Sequence, residues 1–317
     1  MNKIEIKNLN MGFLTECGFR PALFDVSLKL KPGQMHAVVG ESGCGKTITA
    51  MSVLKLLPKN AVVKSGEIIF ENKDILKLSE REMRQIRGSK IALIPQDPMT
   101  SLNPLYTIGD QISETILCHN KVSKSDAKKE ALRVLDLVKI PSVEKRYNSY
   151  PHELSGGMKQ RVIIATALAL NAGVIIADEP TTALDVTIQA QIMTLLDEIK
   201  KDFGTSILII THDLNLVGQY ADEISVMYAG NIVENAQKRE FFNNTGHPYS
   251  IALLNSLPNN DKELLQSING APPSIFDNIK GCRFNPRCNC KMNNICDEET
   301  PSLKEIAPFH QVSCLKY

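Results

Sequence analysis

The chain of 317 residues predicts an α/β protein. It should hold a mainly parallel sheet, an antiparallel β portion, a helical insertion and a small cysteine-rich C-terminal extension. Three observations predict this. Short continuous apolar runs at 36–39, 91–94, 174–177 and 206–210 read as strands buried on both faces. Each run ends in polar residues or glycine, namely Gly40, Gln96, Asp178 with Glu179, and Thr211 with His212. In open α/β sheets ligands gather at such carboxyl ends. Finally, residues 40–47, GESGCGKT, follow one of these runs and precede a helical pattern.

Along the chain, residues 4–6 and 25–30 alternate in polarity and predict antiparallel strands beside the main sheet, with a further strand at 66–70. A helix is expected over 48–57. Residues from about 97 to 161 carry few strand signals and read as a helical insertion, in which Ala131, Val134, Leu135 and Val138 recur at helical spacing and Ser125 is the expected cap. A second glycine-rich turn, Leu154-Ser155-Gly156-Gly157-Met158-Lys159-Gln160-Arg161, leads into a helix over 162–170. Another apolar helix face is made by Ile188, Ile192, Leu195, Leu196 and Ile199. The character changes after about Gln237. Residues up to 258 still read as helical, and from Pro272 onward prolines, asparagines and cysteines replace periodicity. Such an appendage builds little core and invites a metal staple. The expected division is 1–240 for the main domain, with its helical part at about 97–161, and 241–317 for the extension.

Composition excludes several classes. An apolar fraction of 43% and a charged fraction of 22% are those of an ordinary globular protein. A net charge of +1 provides no attraction to nucleic acid or to an anionic membrane. No apolar run approaches a membrane-spanning length, and residues 1–6 lack a signal-peptide core, so the chain is expected in the cytosol. Five of the eight cysteines, Cys282, Cys288, Cys290, Cys296 and Cys314, fall in the last 36 residues. In a reducing compartment that crowding points to metal before disulfides.

The segment Gly40, Glu41, Ser42, Gly43, Cys44, Gly45, Lys46, Thr47 fits the phosphate-cradling pattern GxxxxGK[ST]. Its backbone N–H groups would surround a β-phosphate, Lys46 would reach the β- and γ-phosphates, and the Thr47 hydroxyl would ligate Mg²⁺. Two adjacent carboxylates closing a buried strand are costly without a cation or a task. Asp178 fits the holding of Mg²⁺, and Glu179 fits the orientation or deprotonation of the attacking water. His212 would contact the γ-phosphate and steady Glu179, and Gln96 would touch Mg²⁺ or the water. A second glycine-rich helix start can also present N–H groups to an anion, so each nucleotide is expected between two protein surfaces. Cys44 need not contact nucleotide, although its alkylation would block the site.

In order, the phosphate loop, Gln96, the LSGG segment, Asp178-Glu179, Ala183-Leu184-Asp185 and His212 resemble the ATP-binding subunits of ABC transporters, over about residues 1–258. The resemblance implies a P-loop NTPase core and two such domains paired head to tail around two ATP. Leu154, Ser155, Gly156, Gly157, Met158 and Gln160 of one subunit would serve the nucleotide held by Lys46 of the other, and Asp185 would lie at their interface. An aromatic residue near the first strands stacks on adenine in the family; Phe19 is the first candidate and Phe13 the second. Proline stands at position 95 where relatives often carry an aromatic residue.

Residues 96–104, QDPMTSLNP, the triplet His247-Pro248-Tyr249, and residues 281–288, GCRFNPRC, further resemble the oligopeptide/dipeptide/nickel uptake subfamily. By that match Cys282, Cys288, Cys296 and Cys314 would bind a [4Fe–4S] cluster, with Cys290 extra. The same four thiolates suit Zn²⁺, and reduced free cysteines are the third reading. The resemblance implies two membrane permease subunits, a second ATPase subunit, identical or homologous, and an extracytoplasmic binding protein acting indirectly. It places the chain peripherally on the cytoplasmic membrane face, importing peptides or nickel and metal chelates, without nucleic acid as a partner. A non-transport ABC ATPase acting on nucleic acid or ribosomes and a metal or redox sensor are the readings from other classes.

Overall fold

A computed structural model describes residues 2–182, 184–257, 268–274, 277 and 279–317. The elements run β1 (Ile4–Thr15), β2 (Gly18–Leu30), β3 (Met35–Val39), α1 (Lys46–Val53), β4 (Ala61–Phe70), β5 (Lys73–Asp74), α2 (Glu80–Ile86) and β6 (Ile91–Ile94). Then come α3 (Pro98–Ser101), α4 (Ile108–His119), α5 (Lys124–Leu137), α6 (Val143–Tyr147), α7 (Gly156–Leu168), β7 (Val174–Asp178), α8 (Val186–Phe203) and β8 (Ser206–Thr211). The chain closes with α9 (Leu214–Tyr220), β9 (Glu223–Tyr228), β10 (Asn231–Gln237), α10 (Lys238–Asn243), α11 (Pro248–Asn255), α12 (Ile295–Glu298), β11 (Lys304–Ala307) and β12 (His310–Val312). Two compact units emerge, one from Met1–Leu76 with Thr211–Tyr317, the other from Lys77–Ile210.

In the first unit, β2, β1, β4 and β5 form an antiparallel sheet in that order. Ile4, Ile6, Leu28, Leu30, Ile68 and Phe70 bury one of its faces, because alternation at period two sends successive side chains to opposite faces. The strands are longer than the alternating runs alone predict. A second sheet joins β3 to β9 in parallel and β9, β10, β12 and β11 antiparallel. All residues of β3 and β9 are buried. The C-terminal strands β11 and β12, which have no periodic signal, therefore extend a sheet of the main fold.

That junction is held by a buried group. The Glu234 carboxylate accepts from Gly246 N at 2.8 Å and His247 N at 3.0 Å, and stands 2.8 Å from His310 Nε2. Glu234 and His310 are fully buried. Truncating His310→Ala removes one of the three partners of the buried carboxylate and opens a cavity beside it, and is expected to cost about 2 kcal/mol. A lowered urea midpoint checks it; an unchanged midpoint would count against the staple.

In the second unit β8, β7 and β6 are parallel neighbours, and every residue of β7 is buried, as the continuous apolar run predicts. All regular elements between Pro98 and Leu168 are helical, as expected of the insertion. One detail differs. Helix α5 is capped by Ser123, whose hydroxyl accepts from Asp126 N, and not by Ser125. The Ser-x-x-Asp spacing lets the Ser123 hydroxyl in turn donate to the Asp126 carboxylate at 2.7 Å, making the earlier serine the better cap.

Candidate functional site

The phosphate loop is built by β3 ending and α1 beginning. Gly40 has φ +153°, and a Cβ there would stand 2.1 Å from the Met227 carbonyl, so only glycine fits beside β9. Gly45, at φ +112°, starts α1 and turns the chain so that Lys46 is its first residue and Thr47 its second. Lys46 is buried. Its ammonium donates to Gly40 O at 2.8 Å and Glu41 O at 3.0 Å. A cation folded onto the carbonyls of its own loop is ready to exchange them for phosphate oxygens.

Glu41 is held from outside the loop. Its carboxylate receives both terminal nitrogens of Arg287, at 2.7 and 3.0 Å, and its backbone N–H donates to the Tyr249 hydroxyl at 3.0 Å. Neither partner has a role legible in sequence, although His247-Pro248-Tyr249 and residues 281–288 stand out there as subfamily marks. Cys44 is buried, and burial pushes its thiol up, with Lys46 opposing. A buried, protonated thiol is a poor nucleophile, so the expected sensitivity to alkylation is weakened. His212 follows β8 and shares with Gly40, Glu41, Leu214 and Arg287 the lining of a cavity of about 410 Å³. Phe19 lies in β2 opposite Leu14, with the Lys64 ammonium 4.6 Å from its ring centroid; Phe13 pairs with Arg20.

In the second unit the carboxylates close β7. Asp178, its last residue, is buried. Glu179 takes up φ +46°, unusual for a residue with a side chain, and its N–H donates to Ile210 O at 2.8 Å. Glu179 Oε2 accepts from Gln96 Nε2 at 3.0 Å and from Thr182 Oγ1 at 2.9 Å. The structure joins Gln96 to Glu179, a contact the sequence reading does not contain, since it expects Gln96 at Mg²⁺ or the water and His212 as the support of Glu179; it also adds Thr182, for which no motif signal exists. A carboxylate fixed by two neutral donors and strained backbone can hold one orientation toward a water.

The second glycine-rich turn starts a helix. Ser155 caps α7 and its hydroxyl accepts from Met158 N at 3.3 Å. Gly156 and Gly157 open the helix, and a Cβ on Gly157 would meet Ile188 at 2.7 Å. This start comes earlier than the apolar pattern at 162–170 predicts. Leu154 and Gln160 are buried, and the Gln160 amide finds no hydrogen-bond partner among the described residues. Asp185 caps α8 through Ile188 N at 3.0 Å. Ala183 lies outside the described residues.

Cys282, Cys288, Cys290, Cys296 and Cys314 line one cavity of about 240 Å³ together with His247 and Phe284. Burial pushes the Cys282 thiol up and holds Cys288 at about 11. Burial also lowers His247 to about 3, so its neutral ring accepts from Tyr249 N at 3.1 Å. Among the described residues, no three His, Cys, Asp or Glu side chains group closely enough for one metal ion. A single Zn²⁺ needs its thiolate sulfurs within about 4 Å of each other, given Zn–S bonds of ~2.3 Å. Neither of the two expected groups, the [4Fe–4S] cluster or Zn²⁺, thus has a grouped donor set among the described residues. Cys290, extra by sequence, lines the same cavity as the four expected ligands.

The family model described as ABC transporter matches residues 23–182, and that described as Oligopeptide/dipeptide transporter, C-terminal region, matches residues 233–296. The Dipeptide transport ATP-binding protein DppD of Bacillus subtilis is 46% identical, over 98% of this chain and 93% of its own. The Oligopeptide transport ATP-binding protein OppD of the same organism is 48% identical, over 98% of this chain and 87% of its own. Among solved structures, the dimeric ATP-binding cassette MJ0796 bound to ADP and Pi matches with a TM-score of 0.67 at 28% identity, over 74% of this chain and 99% of that one. Phosphate loop, closing carboxylates and glycine-rich helix start thus occur in a fold shared with an ATP-binding cassette. The chain belongs to the ABC transporter family, as an ATP-hydrolysing subunit of the kind that carries the oligopeptide/dipeptide C-terminal region.

Proposed function

We propose that this subunit energises peptide import through membrane permease subunits. The carrying observation is the 3.0 Å hydrogen bond from Gln96 to Glu179. Gln96 is next to Pro95, which lines a groove of about 780 Å³ with Leu93, Leu102, Tyr106, Gln111 and Ile163. Leu105, Tyr106 and Met99 expose large apolar side chains in the same helical segment. A permease helix seated there would press on the residue that holds the water-orienting carboxylate. Among the described residues no helix is long and apolar enough to cross a membrane. The named relatives serve dipeptide and oligopeptide transport.

In the cycle, Lys46 and the loop N–H groups would bind the phosphates, Thr47, Asp178 and Gln96 would hold Mg²⁺, which would neutralise phosphate charge, and Glu179 would take a proton from the attacking water that Gln96 and His212 orient. Ser155, Gly156 and Gly157 of a second subunit close over the same ATP, and hydrolysis releases that closed state. Reconstitution with the cognate permeases and a peptide-loaded binding protein should give peptide-stimulated hydrolysis and uptake. Stimulation by nucleic acid or ribosomes alone, or uptake of nickel chelates without peptides, would overturn this assignment.

The cysteine cavity is assigned here to a structural iron–sulfur cluster held by Cys282, Cys288, Cys296 and Cys314. Its support is the donor set, since these four cysteines line one cavity. When bound, the cluster would supply four metal–thiolate bonds that staple the extension. Anaerobically purified protein should show a broad absorption band near ~400 nm that a chelator bleaches, as cysteine-ligated iron clusters do. Zinc without iron after reconstitution would sink the assignment.

A further inference from the structure

We propose that Arg287 is a positioning residue for the phosphate loop, through which the cysteine-lined turn bears on nucleotide binding. The proposal rests on the ATPase reading above and adds a part that no phosphate-loop motif contains.

Glu41 is anchored at each of its polar groups. Its N–H donates to Tyr249, its carbonyl accepts from Lys46, and its carboxylate takes the paired N–H groups of Arg287. Wherever Glu41 moves, one acceptor of the Lys46 ammonium moves with it. Arg287 is itself immobilised. Its side chain is 5% exposed, Nε donates to Asn269 O at 2.8 Å, and Nη1 lies 3.4 Å from the Tyr228 hydroxyl. Charge-assisted, two-pronged pairs of this kind are the strongest and most directional that side chains form.

The other side of Arg287 faces the extension. It ends the short turn Asn285–Arg287, between Phe284 and Cys288, which both line the cysteine cavity. Phe284 packs edge-on against Tyr228, with ring centroids 5.1 Å apart, and against Tyr249 at 5.4 Å. Asn285 Nδ2 ties the turn to Lys280 O at 3.0 Å and to Cys296 O at 3.2 Å. One rigid turn therefore forms the cavity wall and carries the guanidinium that grips the loop. Coupling between two sites needs such a shared element, and it acts in both directions.

The test compares R287Q, R287K, E41Q and the R287Q/E41Q double variant by equilibrium binding of a fluorescent ATP analogue and by steady-state hydrolysis. R287Q should weaken binding about tenfold, equivalent to about 1.4 kcal/mol. It should leave kcat within about twofold, because the interaction serves bound ground state and transition state alike. R287K, which keeps the charge but not the fork, should recover to within about threefold of the parent. The double variant should be no weaker than R287Q, as for partners in one contact. N285A, on the cavity side, should weaken binding in the parent and change nothing further in R287Q. Unaltered affinity in R287Q, or additive losses for Arg287 and Glu41, would overturn the positioning role. Equal losses from N285A in both backgrounds would overturn the link to the cavity. K46A, run alongside, separates the outcomes: if it also binds like the parent, the phosphate-loop reading itself has failed.

Discussion

Glu179→Gln is expected to abolish most ATP turnover while sparing ATP binding. The side chains are nearly isosteric. Gln96 and Thr182 both donate to one carboxylate oxygen, and the amide oxygen of glutamine can accept from them in its place. The φ +46° backbone, fixed by the N–H bond to Ile210 O, is indifferent to the exchange. What disappears is the charge that accepts a proton from the attacking water. General-base removal typically lowers rates by about 10²–10⁴, so phosphate release in single-turnover experiments should slow by about a thousandfold. ATP affinity should stay within about twofold, since that range of loss acts on the transition state alone. With hydrolysis blocked, the ATP-bound variant should remain dimeric on gel filtration while the parent returns to monomer. Hydrolysis within tenfold of the parent would remove Glu179 from the role of base.

Lys46→Ala is expected to lose ATP affinity itself. Lys46 is 5% exposed, and its ammonium is bonded to Gly40 O and Glu41 O. It sits at the N-terminus of α1, where the backbone already favours an anion. Removing it deletes the one full positive charge the motif brings to the β- and γ-phosphates. A loss of about a hundredfold in affinity, or about 2.7 kcal/mol, is the expected scale for a charge-assisted contact in a dry site. Glu41 O keeps the Cys44 N–H at 3.3 Å, but the loss of both ammonium bonds costs about 1 kcal/mol more in folding, so a thermal melt must accompany the titration. Unchanged affinity in a folded K46A protein would end the cradle reading.

The strands that flank these residues were legible because each is a continuous apolar run. Residues 91–94 coincide with β6, and 206–210 miss only Thr211 of β8. Strands β9 and β10 carry no such run, since Glu223, Ser225, Glu234 and Asn235 interrupt them. Those residues are tolerated in the sheet because distant partners satisfy them. Lys31, Gln34 and Asn235 bond Glu223, His36 and Asn235 bond Ser225, and His310 bonds Glu234. Burial raises the Glu223 carboxyl, yet these partners and His36 more than offset it and leave it lowered. Gln96 and Glu179 were readable from motif order, whereas Thr182, Tyr249 and Arg287 carry no local pattern that marks them.

By itself the sequence determined the fold class, the phosphate loop, the closing carboxylates and the glycine-rich helix start. Each is a strand–loop–helix device written within about ten consecutive residues, where backbone sterics and polarity act locally. Tertiary structure alone decided what stands against those devices. It set Arg287 on Glu41 across 246 positions of chain, His310 on Glu234 across 76, and five cysteines around one cavity. Such pairs are selected by burial and by the cost of leaving a polar group unmatched in the folded interior. That cost arises only once the chain has closed on itself, so no periodicity along the sequence records it.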